Sequence, residues 1–115
     1  MRNDAVRDVI AAYDDLVVRA YCRVRFLILR QRFLDEIGQY LPTHGVILDI
    51  GCGFGLFSLY FASVAPGRSL RGLDLDSERI RMARSAALKL GLGNVTYEAA
   101  DARDFKDTGG VLLVW

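Results

Sequence analysis

Asp49-Ile50-Gly51-Cys52-Gly53-Phe54-Gly55 joins one apolar run, Val46 to Leu48, to another, Leu56 to Leu59. The pattern is a buried strand, three glycines at alternate positions and the start of an apolar helix. A turn of this kind lets a ligand press against bare backbone, with helix-terminal amides facing it. The chemistry of the loop narrows the ligand. A dinucleotide loop spaces its glycines G-x-G-x-x-G, and Leu56 stands where the last glycine would be. A phosphate loop would carry Gly-Lys-Ser or Gly-Lys-Thr, which is absent, and no lysine or arginine occurs from Val46 to Ser63. Asp49, two residues before the first glycine, disfavours a pyrophosphate and suits a ligand carrying positive charge.

An acid followed by G-x-G-x-G resembles motif I of the class I S-adenosylmethionine-dependent methyltransferases, whose ligand bears an α-amino group and a sulfonium. The resemblance continues downstream over roughly residues 46 to 115. Leu70-Arg71-Gly72-Leu73-Asp74 reads as a second strand ending in an acid, and Asn94 to Ala102 as a third strand with Asp101 at its end. The resemblance implies cofactor-binding roles for Asp49, Gly51, Cys52, Gly53, Asp74, Leu75, Asp101 and Ala102. Asp74 would take the ribose hydroxyls. Asp101 would take the adenine amine, with the backbone amide of Ala102 on a ring nitrogen. Methyl transfer is a displacement in which the cofactor supplies the reactivity and the protein aligns the reactants and excludes water. No catalytic base is assigned.

The elements that must position these residues follow from the apolar spacing. Asn3 or Asp4 can cap a first helix with Val6, Val9, Ile10, Tyr13, Leu16 and Val17 at helical intervals. A second helical stretch is expected from about Tyr21 to Tyr40, and Pro42, His44 and Gly45 mark a turn. Strands are expected at about 46–50, 69–74 and 94–99, with helices at about 55–64 and from a cap at Asp76 or Ser77 to Gly91. Val111-Leu112-Leu113-Val114-Trp115 reads as a fourth strand. This alternation predicts an α/β fold, a Rossmann-like parallel sheet with flanking helices. Residues 1–41 form an N-terminal helical segment, and 42–115 an incomplete cofactor-binding domain. The resemblance implies a seven-stranded sheet of spatial order three-two-one-four-five-seven-six. The sequence supplies four of those strands, as a fragment truncated after the fourth, and the exposed strand at 111–115 invites self-association.

Composition bounds the function. Charged residues make up 25% of the 115 residues and hydrophobic ones 52%, which fits a soluble globular chain. The net charge of +1 argues against a nucleic-acid field and points to a small-molecule acceptor. No signal peptide or membrane-spanning run is apparent, and Cys22 and Cys52 show neither disulfide nor metal spacing, so a reduced cytoplasmic location is expected.

Several residues have a plain structural reading beside a functional one. Arg19, Arg23, Arg25, Arg30 and Arg32 lie in a stretch with no acid between Leu16 and Leu34. They read as solvated edges of a packing helix rather than as a site for an anionic acceptor or a membrane surface. Tyr13 and Tyr21 read as core or rim, His44 as surface, and Cys52 as a small loop residue whose acidic surroundings raise its pKa. Asp101, Asp104 and Asp107 read as a solvated loop without metal. The function expected is a small-molecule methyltransferase present as its cofactor-binding half; the alternative is a fragment that keeps the fold without transferring methyl groups.

Overall fold

The computed structural model describes residues 2–29, 31–42, 45–101, 103 and 111–114. Helices α1 (Arg2–Ala11), α2 (Leu16–Leu29) and α3 (Gln31–Tyr40) precede strand β1 (Gly45–Ile50). Then come α4 (Leu56–Val64), β2 (Arg68–Asp74), α5 (Ser77–Leu90), β3 (Val95–Ala99) and β4 (Val111–Val114). The four strands are parallel in the order β3-β2-β1-β4. Ile47 stands beside Leu70 and Val111, and Leu70 beside Val95. The chain therefore steps outward from β1 to β3 and returns to the other side of β1. The order reverses between β1 and β4, and that switch point opens a crevice at the carboxyl end of β1.

Right-handed crossovers in one direction put α4 and α5 on one face of the sheet. Ile47, Asp49, Leu70, Gly72, Val95 and Tyr97 line that face and are buried. Leu48, Arg71, Thr96 and Glu98 alternate onto the opposite face and are half-buried or exposed. Every residue of α4 from Leu56 to Ala62 is buried, because the helix lies between the sheet and the N-terminal helices. Phe26 of α2 meets Phe57 and Tyr60 edge-on at 6.0 and 6.1 Å. This accounts for a helix that is hydrophobic all round. The same core takes in Val9, Ile10, Cys22 and Leu34, and the Tyr60 hydroxyl donates to Asp35 at 2.7 Å.

The N-terminal region departs from the expected boundaries. Leu16 and Val17 belong to α2 rather than to the first helix, since Asp15 caps α2 by accepting from the amides of Val17 (2.8 Å) and Val18 (3.3 Å). The stretch expected to be helical from Tyr21 to Tyr40 is helical throughout its described residues, as α2 up to Leu29 and α3 from Gln31. Later boundaries agree within a residue. Asp76 caps α5 through the amides of Glu78 and Arg79, and Gly91 closes it in the left-handed conformation at φ 68°.

Candidate cofactor site at the glycine loop

The glycine loop is fastened to β2 by its own backbone. Gly51 and Cys52 both donate to the Leu73 carbonyl, at 2.8 and 3.0 Å. Gly53 donates to Asp74 Oδ2 at 2.9 Å, and Gly55 to the Cys52 carbonyl at 2.9 Å. Gly51 (φ 71°) and Gly53 (φ 58°) lie in the left-handed region with nothing within 4 Å of a built Cβ. They present bare backbone to open space, as the sequence implies. The amides differ from the expectation. Four of them are spent inside the protein, so the loop is not a nest of free N–H donors for a phosphate.

Asp74 sits at the end of β2, half-buried, and bridges two turns. Its Oδ2 takes Gly53 and its Oδ1 takes the Asp76 amide at 2.9 Å. A carboxylate has about four lone-pair positions, so about two remain for a ligand's hydroxyls. Asp49 is only 1% exposed and lies beneath the loop rather than in the open crevice. Ala100 donates to the Asp74 carbonyl at 3.0 Å, which sets the end of β3 beside the end of β2. Asp101 follows and is held by Arg103, whose Nη2 donates to Oδ2 at 2.6 Å and whose amide donates to Oδ1 at 2.9 Å. These bonds hold the Asp101 carboxyl below its ordinary range. Leu75 projects into solvent at 76% exposure. Ala102 lies outside the described residues, as do Arg30, His44, Asp104, Asp107 and Trp115.

Burial, followed by the nearby charges of Asp49 and Asp74, pushes the Cys52 thiol well above its ordinary range. It is a space-filling neutral thiol, not a nucleophile. Tyr13 is a core residue whose hydroxyl donates to the Phe54 carbonyl at 2.7 Å. Tyr21 is at the rim, edge-on to Phe54 at 5.6 Å. Together with Arg25, Arg79 and the loop itself it lines a cleft of about 110 Å³.

Two features escaped the sequence. Tyr97 is a buried pillar under the loop. Its hydroxyl shares a 2.7 Å hydrogen bond with Ser58, and both hydroxyls reach the Gly55 carbonyl, at 3.3 Å from Tyr97 and 3.1 Å from Ser58. The cleft is also flanked by cations that the run 46–63 lacks, with Arg25 stacked on Phe57 at 5.5 Å and Arg79 on Phe54 at 5.4 Å. Period-two spacing marks Tyr97 as inward-facing, but nothing local to it signals the glycines it supports.

Residues 47–114 match the family described as the methyltransferase domain. The chain belongs to the class I S-adenosylmethionine-dependent methyltransferases. It is 38% identical over 71 residues to a 23S rRNA (uracil(747)-C(5))-methyltransferase of Halothiobacillus neapolitanus, covering 62% of this chain and 18% of that protein. It is 39% identical over 68 residues to the 2-heptyl-1-hydroxyquinolin-4(1H)-one methyltransferase of Mycobacteroides abscessus, covering 59% and 29%. Among solved structures, a coclaurine N-methyltransferase bound to N-methylheliamine and S-adenosylhomocysteine superposes with a TM-score of 0.66 at 20% identity, over 72% of this chain and 26% of that one. The chain thus spans less than a third of each.

The expectation of no nucleic acid is overturned, because a relative named for 23S rRNA stands among the similar proteins, which are named for both an rRNA and a small-molecule acceptor. Near-neutral charge misled because 115 residues sample a minor part of such a relative's surface. Among the described residues, no helix is long and apolar enough to cross a membrane.

Proposed function

We propose that this chain binds S-adenosylmethionine at the carboxyl ends of β1, β2 and β3 and forms the cofactor-binding part of a methyltransferase. The observation carrying this reading is the Gly53–Asp74 bond. It joins the open glycine backbone to a carboxylate with acceptor capacity to spare, in a loop whose amides are committed elsewhere. Such a site offers acid and backbone rather than anion-binding donors, which fits a cationic sulfonium ligand with a diol.

In this reading Gly51, Cys52 and Gly53 carry the methionyl portion, Asp74 with the Leu75 backbone the ribose, and Asp101 with Ala102 the adenine. Asp49 acts through the loop it underlies. The bound cofactor supplies the electrophilic methyl group, while the chain orients it and shields it from water. Nucleic acid belongs among the acceptors, as in the rRNA-modifying relative. A cytoplasmic location accords with the free thiols Cys22 and Cys52.

Calorimetric titration with S-adenosylhomocysteine tests the reading. Wild-type chain should bind, and Asp74→Asn, which keeps the shape, should weaken binding by about tenfold. A folded chain that takes up no S-adenosylhomocysteine would refute it and favour a fragment that keeps the fold without the activity.

A further inference from the structure

The arginine-rich helix α2 turns to solvent a face that is not charged. At about 100° per residue, Leu16, Leu27, Val24, Val17, Ile28 and Tyr21 fall in that order within one arc of about 140°. All six are exposed, with Val24 at 53%, Ile28 at 66% and Leu27 at 74%. Val18, Cys22 and Phe26 form the buried side. Arg23 borders the arc on one flank, next to Leu16 and Leu27, while Arg19 behind it donates to the Tyr13 and Ala11 carbonyls. Arg25 borders the other flank, next to Tyr21. The helix contains no acid. Nearby acids are engaged: Asp15 caps α2, and Asp14 pairs with Lys89. Arginine edges on an ordinary packing helix would flank a polar outer face. Here the arginines do flank the buried side, as expected, but the outer face between them is aliphatic.

We infer that α2 lies flat on an anionic lipid bilayer, its aliphatic arc among the acyl-chain ends and its bordering arginines at the phosphate level. An apolar arc rimmed by guanidinium groups is the pattern of an interfacial helix. Its fourteen described residues run about 21 Å, a length suited to lying along a bilayer. Other occupants fit less well. A nucleic acid would meet the arginines but leave five aliphatic side chains against phosphate. A second copy would set arginine borders against each other. Tyr21 and Arg25 also line the glycine-loop cleft, so docking would hold the mouth of the cleft at headgroup level.

Vesicle flotation of the 115-residue chain is the test, using equal parts phosphatidylglycerol and phosphatidylcholine against phosphatidylcholine alone. The chain should float with the mixed vesicles and bind neutral ones far less. Val24→Asp with Leu27→Asp should lower binding by about tenfold or more, with thermal unfolding unchanged because both positions face solvent. Arg23→Gln should lower it by about fivefold on mixed vesicles only, which keeps the test decisive should the double variant unfold. A wild-type chain that stays in the soluble fraction would overturn the inference. So would binding that neither variant alters, or a dimer in light scattering that the double variant dissolves while vesicles recover nothing.

Discussion

The Tyr97 hydroxyl occupies the place where a side chain on Gly55 would stand, 2.6 Å from a Cβ built there. The same ring closes the space over Gly72, where a Cβ would come within 2.5 Å of Tyr97 Cδ1 and 2.9 Å of Cys52 Sγ. A third-strand tyrosine thus sets the height of the glycine loop from below. Gly72→Ala must displace the ring or the strand, and should cost about 1–3 kcal/mol in urea unfolding. Gly93→Ala, with open space around its built Cβ, is the matched control and should move stability by no more than about 0.5 kcal/mol. Equal effects at both positions would show that the ring does not fix the loop.

Removing the Tyr97 hydroxyl separates its polar role from its bulk. Tyr97→Phe keeps the pillar and leaves Ser58 donating to the Gly55 carbonyl. Stability should fall by about 1 kcal/mol, the ordinary value of one buried hydrogen bond. Tyr97→Ala should cost about 3–5 kcal/mol by opening a cavity under the loop. Chemical denaturation of the two variants side by side reads the difference.

Gly53 tests whether the loop serves a ligand or only the fold. Its left-handed backbone should make Gly53→Ala cost about 1–2 kcal/mol, with no steric clash inside the protein. The new methyl group would stand in the open space before the loop. S-adenosylhomocysteine affinity should therefore fall by more than tenfold, beyond what the stability loss explains. Unchanged affinity in calorimetry would place the ligand elsewhere.

The strands, the glycine turn and the acids ending β2 and β3 were legible because each has a local signature: an apolar run, a glycine spacing, an acid after a strand; the strand order came only with the family resemblance. Gly91 and Asp76 announced the ends of α5 in the same way. What could not be read depends on registers between distant segments. The Leu73 carbonyl takes two loop amides only because Asp49 pairs with Gly72 across β1 and β2. Tyr97 reaches Gly55 only through the pairing of β3 with β2. The break before α2 was obscured because Leu16 and Val17 continue the apolar spacing of the first helix, while the Asp15 cap that separates them looks like any surface acid. Outward-facing and inward-facing leucines on α2 are identical as letters, so its aliphatic outer face became visible only with the burial pattern.

Asp101 is the proposed adenine acceptor, and the Arg103 side chain occupies both of its oxygens. Ligand binding would compete with that ion pair. Arg103→Ala should therefore tighten S-adenosylhomocysteine by a small factor, about two- to fivefold. Wild-type affinity should likewise rise with added salt, whereas the variant's should not. Loss of affinity in Arg103→Ala would instead make the arginine a ligand contact.

Three buried groups and the half-buried Cys52 give the fold an alkaline limit. Burial pushes the Cys22 thiol up to about 12 and raises Cys52, Tyr13 and Tyr97 as well. In the unfolded chain thiols ionise near pH 8.5 and phenols near pH 10. Below those values both states hold the same protons, and stability does not depend on these groups. Above them the unfolded chain loses protons that the folded chain retains, so stability falls as pH rises, by at most about 1.4 kcal/mol per pH unit for each thiol. Thermal midpoints should be level between about pH 7 and pH 8 and decline steadily toward pH 10. Cys22→Ala should make that decline shallower, and Cys22 should react with Ellman's reagent only as fast as the chain unfolds. A midpoint that stays constant through pH 10, or rapid labelling of native Cys22, would contradict the burial of that thiol between α2 and the sheet-covering helices.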